Sequence, residues 1–293
     1  MNRYQSLGIV VIATVLFATS VDAQQRGRTG GGGRAGFGAG IPSEELAQLP
    51  QSPGAIGDQQ RHYYFEEADA EMPFHLFVPE SYDRNTPTPL VVALHGYGGN
   101  HDYFFNTADD LQGQLEAHGF ILVAPMGYNT GSWFGAGGPT TFGGSENTAD
   151  VIVNGGLSIT ALGELDVMNV FEIVTSEYNI DRDRIYLMGH SMGGAGTWYI
   201  GEKYADIWAA IAPMSGGSRS GVNTDVFARI PVIAAVGGDE TGQLEGTQAA
   251  VNEINAAGGT AVYLAIPDAG HMPMIGPAVP QILEFFAEHS KAE

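Results

Sequence analysis

The stretch Ile185-Tyr186-Leu187-Met188-Gly189-His190-Ser191-Met192-Gly193-Gly194 leaves the backbone very few paths. An apolar run of strand formers stops at Gly-His-Ser-Met-Gly, and a helical pattern begins at once. The reading is a strand, a sharp turn and a helix, with Ser191 held at the turn in a conformation most residues avoid. Gly189 and Gly193 are required because side chains there would collide with the neighbouring strand and helix. Such a nucleophile elbow lifts the Ser191 hydroxyl clear of the sheet and aims the Met192 N–H into the same space.

Apolar runs and helical patterns alternate around this turn. Residues 61–67 and 73–79 read as two strands joined by an acidic turn. Residues 89–94 are continuously apolar, as a strand covered on both faces requires, and lead into His95-Gly96-Tyr97-Gly98-Gly99-Asn100. Residues 107–118 read as a helix, 120–125 as a buried strand, and 164–178 as a helix with Val167, Val170, Phe171, Val174 and Tyr178 on one face. A helix over 192–204 follows the elbow. Strands at 209–213, 231–236 and 261–266 then alternate with helices at 248–257 and 279–288. The pattern implies an α/β chain: a mostly parallel central sheet, helices on both faces and an antiparallel start. In open sheets of this kind reactive groups gather at the carboxyl ends of strands, which singles out 95–100, Ser191, 237–240 and the loop around His271.

A serine hydroxyl needs a base within hydrogen-bond reach. Of the eight histidines, His271 is the expected base, because it follows the last strand in Asp268-Ala269-Gly270-His271, where nothing structural calls for a histidine. His95 is expected to brace the glycine loop. His190 reads as packing beside the elbow and, with Tyr97 and Trp133, as a residue bordering the substrate. The base in turn needs a carboxylate to set its tautomer. Asp239 and Glu240 compete in Val236-Gly237-Gly238-Asp239-Glu240; aspartate is the commoner choice, so Asp239 is expected and Glu240 is left as a solvated loop charge. The Met192 and Tyr97 N–H groups are the expected oxyanion donors. No metal-ligand spacing is present in His95, His101, Asp102, Asp109 and Asp110, and no phosphate-loop signature accompanies the glycines, so neither metal nor cofactor is expected.

Composition narrows the partners. A net charge of −21 with two lysines repels nucleic acid and anionic lipid. The absence of cysteine excludes disulfides, thiolate metal sites and a cysteine nucleophile. Arg3, the apolar residues 7–18 and Val21-Asp22-Ala23 read as a signal peptide over 1–23, with an uncleaved anchor as the alternative. Residues 24–40 read as a flexible glycine-rich leader, and 41–293 as the folded catalytic unit. The product is expected to be secreted or periplasmic, without membrane contact after signal removal.

Tyr178-Asn179-Ile180-Asp181, Arg184-Ile185-Tyr186-Leu187, the elbow, Gly196-Thr197-Trp198 and Leu94-His95-Gly96-Tyr97-Gly98-Gly99 together resemble secreted bacterial α/β-hydrolases. The resemblance covers most of residues 61–290 and points to esterases grouped with feruloyl esterases, polyhydroxybutyrate-depolymerase-like esterases and predicted peptidases of the prolyl-oligopeptidase kind. It implies the α/β-hydrolase fold, cofactor-free acyl transfer, and Ser191 and His271 in the roles given above. The acid departs from the pattern: many relatives read His-Gly-x-x-Asp, and an ungapped match to this chain favours Glu240. The expected activity is a serine carboxylic-ester hydrolase acting on a small-molecule or polymeric ester. A peptidase with the same triad is the first alternative, and a non-catalytic binding protein the second. Residues 126–162 form a long glycine-rich stretch with Tyr128, Trp133 and Phe134, read either as part of an aromatic wall around the substrate or as rings that anchor the loop.

Overall fold

The computed structural model describes residues 52–139, 141–142, 145–146, 151–217 and 221–291. The expected signal peptide and leader, and part of the 126–162 stretch, lie outside the described residues. Eight strands form the main sheet: β1 (Gly57–Phe65), β2 (Ala70–Val78), β3 (Thr88–Leu94), β4 (Ile121–Pro125), β5 (Ile180–His190), β6 (Ala210–Met214), β7 (Val232–Gly237) and β8 (Ala261–Ile266). Their spatial order is β1-β2-β4-β3-β5-β6-β7-β8. β2 runs antiparallel to both β1 and β4, and every pair from β4 through β8 is parallel.

Both sheet faces are covered, which is why the central strands are apolar at every position rather than alternately. In β3, Leu90, Val92 and Leu94 enter one core cluster while Val91 and Ala93 enter the other. The first cluster is closed by helices α3 (Ile159–Glu177) and α4 (Met192–Lys203) through Val167, Val170, Phe171, Val174 and Ile200. The second is closed by α1 (Tyr103–Thr107), α2 (Leu111–His118) and α7 (Ile275–Ala287), among whose residues Phe104, Leu115, Ile282 and Phe286 are buried. Short α5 (Thr224–Phe227) and longer α6 (Thr241–Ala256) flank β7.

Four helices begin earlier than periodicity predicts: α1 at Tyr103, α3 at Ile159, α6 at Thr241 and α7 at Ile275. α3 starts at Ile159 because the Ser158 side chain caps it, accepting from Ala161 N at 3.1 Å. The single helix expected over 107–118 is two, because Asp110 takes a left-handed conformation (φ 45°) that starts α2 afresh.

Candidate active site

The parallel order brings the carboxyl ends of β3, β5, β6, β7 and β8 to one rim, and each contributes one segment to a shared site. Ser191 follows β5 at φ 57°, ψ −114°, the strained elbow expected from sequence. Its N–H donates to Met214 O at 2.8 Å, tying the turn to β6. A Cβ on Gly189 would overlap the Gly193 carbonyl, and one on Gly193 would overlap the Leu94 carbonyl, so both glycines are demanded by backbone proximity.

His271 Nε2 lies 2.8 Å from Ser191 Oγ, and His271 Nδ1 lies 2.5 Å from Glu240 Oε1. The carboxylate on the imidazole is therefore Glu240, not the expected Asp239. The reason is how the β7 and β8 loops touch. Gly238 N donates to Ile266 O and Asp239 N to Ala269 O, which spends Asp239 on a backbone contact and leaves its side chain exposed. A Cβ on Gly237 would meet the Ala269 carbonyl at 2.5 Å, so the glycine pair permits this approach and Glu240 turns inward one residue later. Its longer side chain spans the remaining gap.

Four donors saturate the Glu240 carboxylate. Oε1 accepts from His271 and from Gln243 Nε2 at 2.8 Å; Oε2 accepts from Ser215 Oγ at 2.5 Å and Gly237 N at 2.9 Å. Burial opposes ionisation, but the hydrogen bonds from Ser215, His271 and Gly237 outweigh it and hold the carboxyl below its ordinary range. An acceptor-only carboxylate requires a proton on His271 Nδ1, which leaves Nε2 free to accept from the Ser191 hydroxyl. Ser215 and Gln243 were not anticipated. The carboxyl-end rule applied to β6 points directly at Ser215.

An open cleft of about 440 Å³ lies over these groups, bordered by Tyr97, Tyr103, His190 and Met272 together with Ser191 and His271. Tyr97 lies along its wall. Met192 begins α4, where N–H groups have no acceptor within the helix. His190 reaches the cleft floor but is 1% exposed, with both ring nitrogens engaged by Tyr103 OH at 2.7 Å and His271 O at 2.8 Å. Burial first, and the neighbouring His271 second, pull its pKa to about 4, so it is neutral near pH 7. Trp133 is buried in the core behind Tyr97, not among the residues lining the cleft. His95 is buried against the carbonyls of Gly96 and Met126, the bracing position expected of it.

The loop behind Tyr97 has its own anchor. Asp166 Oδ2 accepts from Gly127 N at 2.5 Å and Tyr128 N at 3.1 Å, and Oδ1 accepts from Tyr63 OH at 2.6 Å. Burial pushes this carboxyl up to about 6 against those hydrogen bonds. Thr130 O then accepts from Gly98 N at 2.8 Å, joining the anchored loop to the glycine loop. Among the described residues, no group of three or more His, Cys, Asp or Glu is placed to hold a metal ion, and no helix is long and apolar enough to cross a membrane.

Known proteins share this architecture. A bifunctional acetylxylan esterase/xylanase from Neocallimastix patriciarum is 28% identical over 163 residues, covering 55% of this chain and 20% of the relative. Feruloyl esterase B from Thermothelomyces thermophilus is 28% identical over 152 residues, covering 52% of this chain and 46% of the relative. The chain thus spans less than half the length of these relatives. The crystal structure of a thermostable esterase superposes with a TM-score of 0.60 at 24% identity, covering 80% of this chain and 63% of that one, and supports the α/β-hydrolase fold. The Esterase family model, described as "Putative esterase", matches residues 66–222, more than half of the 293-residue chain, and the protein belongs to that family.

Proposed function

We propose that the protein hydrolyses carboxylic esters through an acyl-enzyme on Ser191, with His271 as general base and acid and Glu240 orienting it. The observation that carries this reading is the unbroken hydrogen-bond line from Ser191 Oγ through His271 to Glu240, opening into the cleft. Ser191 Oγ attacks the ester carbonyl while its proton passes to His271 Nε2. The carbonyl oxygen, now anionic, is received by the Met192 N–H and the Tyr97 N–H of the glycine loop. Collapse expels the alcohol, which takes the proton from His271. Water then attacks the acyl-enzyme by the same route and frees Ser191.

The acyl group rests against Tyr97, Tyr103 and Met272 in an open cleft, which suits esters borne on bulky or polymeric alcohols. The acetylxylan and feruloyl esterases among the relatives support short acyl and aryl esters as the class to assay. We also read residues 1–23 as an export signal, tested by N-terminal sequencing of protein recovered outside the cytoplasm. A fluorophosphonate probe is expected to label wild type and to fail on Ser191→Ala; labelling that survives the substitution removes Ser191 as nucleophile. Against p-nitrophenyl esters, methyl ferulate, acetylated xylan and aminoacyl anilides, esters are expected to turn over faster, and faster anilide cleavage would replace this reading with a peptidase.

A further inference from the structure

Tyr103 and His190 join two parts of the site, the glycine loop and the backbone that carries His271. Tyr103 opens α1, just after the glycine loop, and its side chain lies beneath that loop: a Cβ on Gly96 would meet the Tyr103 hydroxyl at 2.8 Å, and one on Gly99 would meet its ring at 2.8 Å. From there the hydroxyl reaches His190 Nδ1 at 2.7 Å, with the two rings stacked at 5.9 Å between centroids. His190 Nε2 reaches the backbone carbonyl of His271 at 2.8 Å, and the two imidazoles lean together at 4.5 Å.

The proton positions follow from the acceptors. A carbonyl only accepts, so His190 carries its proton on Nε2 and donates it to His271 O. The neutral ring then presents a lone pair on Nδ1, which accepts the Tyr103 O–H. Met272 Sδ, 3.2 Å from the same hydroxyl, is the weaker competitor for that single proton. The chain Tyr103 O–H to His190 to His271 C=O therefore runs in one direction with every donor matched.

Resting on the ester-hydrolase reading above, we infer that Tyr103 and His190 are positioning residues: a two-bond strap that sets the spacing between the glycine loop and the backbone carrying His271. Attack needs the oxyanion donors and the base correct at the same moment, and misplacement by about 1 Å costs on the order of a hundredfold in rate. Ring packing alone would survive loss of the hydroxyl; the strap would not.

The test compares Tyr103→Phe, His190→Phe, His190→Gln and the Tyr103→Phe/His190→Phe double variant on p-nitrophenyl acetate. Tyr103→Phe is expected to lower kcat on the order of tenfold to a hundredfold with KM within about twofold and the melting temperature retained. The double variant is expected to lose no more than His190→Phe alone, since both cut one strap, and His190→Gln, which keeps a donor for the carbonyl, is expected to recover part of the loss. A turnover-independent readout is the downfield His271 Nδ1–H proton resonance, expected to exchange with solvent faster in Tyr103→Phe. Unchanged kcat and unchanged exchange in Tyr103→Phe, a change in KM alone, or multiplying losses in the double variant would each overturn the strap. Absence of ester turnover and probe labelling in wild type would instead defeat the ester-hydrolase reading, while the proton exchange would still decide the strap.

Discussion

Replacing Glu240 by glutamine tests the carboxylate found where Asp239 was expected. The exchange keeps size and shape and removes one charge, so its effect is set by how the amide orients. Gly237 N–H is a backbone donor that cannot turn round, and it faces the Oε2 position at 2.9 Å. The amide oxygen must therefore sit there, where the Ser215 hydroxyl also donates to it. The amide NH₂ is left at the Oε1 position, 2.5 Å from His271 Nδ1. Two donors cannot face each other, so His271 moves its proton to Nε2 and loses the lone pair that accepts from Ser191. The equivalent exchange in a Ser-His-Asp triad lowers kcat by about 10⁴, or about 5.5 kcal/mol at roughly 1.4 kcal/mol per tenfold. A loss of three to four orders of magnitude in kcat/KM on p-nitrophenyl acetate is expected for Glu240→Gln, on the order of 4–5.5 kcal/mol. The Asp239→Asn variant is expected to stay within about twofold of wild type, as exposed substitutions do. Glu240→Gln retaining more than a tenth of wild-type activity, or Asp239→Asn carrying the large loss, would refute the reasoning.

Ser215→Ala removes a hydrogen bond to the Glu240 carboxylate, so about 1.5–3 kcal/mol of stability should go, read by denaturant unfolding. Because the folded Glu240 pKa is depressed, its contribution is present above the ordinary carboxylate range and lost as pH falls; the variant should begin losing activity at higher pH than wild type, and an unmoved acid limb would count against it. Asp166 has the opposite sign: its folded pKa is raised to about 6, so its effect on stability is most favourable at low pH and declines as pH rises towards 6. The melting temperature of Asp166→Asn, in which an amide can still serve Gly127, Tyr128 and Tyr63, should lack that decline; an identical slope in wild type and variant would disprove the assignment. Gly193→Ala should cost more than about 3 kcal/mol or abolish folding, because the new methyl meets backbone carbonyls that cannot yield, whereas Gly242→Ala at the exposed first turn of α6, with nothing within 4 Å, should be neutral or stabilising; equal stabilities would remove the packing argument.

Covalent neighbours and local pattern account for much of this protein. The apolar runs of β3 and β4 declare strands buried on both faces, and the glycines around Ser191 declare a turn that only one kind of backbone path satisfies. The histidine after the last strand is equally plain, since each of these features is written within a few consecutive residues. Helix beginnings were less legible: a capping serine and a left-handed aspartate shift α3 and α2 without disturbing the apolar period that marks them.

The carboxylate was decided elsewhere. Asp239 and Glu240 are adjacent, and their side-chain directions depend on how the β7 and β8 loops lean together through Gly237 and Gly238, a contact between segments about thirty residues apart. Ser215 and Tyr103 likewise come from separate stretches of chain, and nothing near either in sequence marks the partner it meets. Trp133 looked available for substrate and is buried in the core. Sequence by itself marked the strands of the sheet, the elbow turn and His271, because local sterics and hydrophobic period act over short spans. Which of the two adjacent carboxylates reaches His271, its ring of donors and the contacts of Tyr103 and His190 were fixed by tertiary structure, because hydrogen bonds at 2.5–2.9 Å depend on the packing of whole strands.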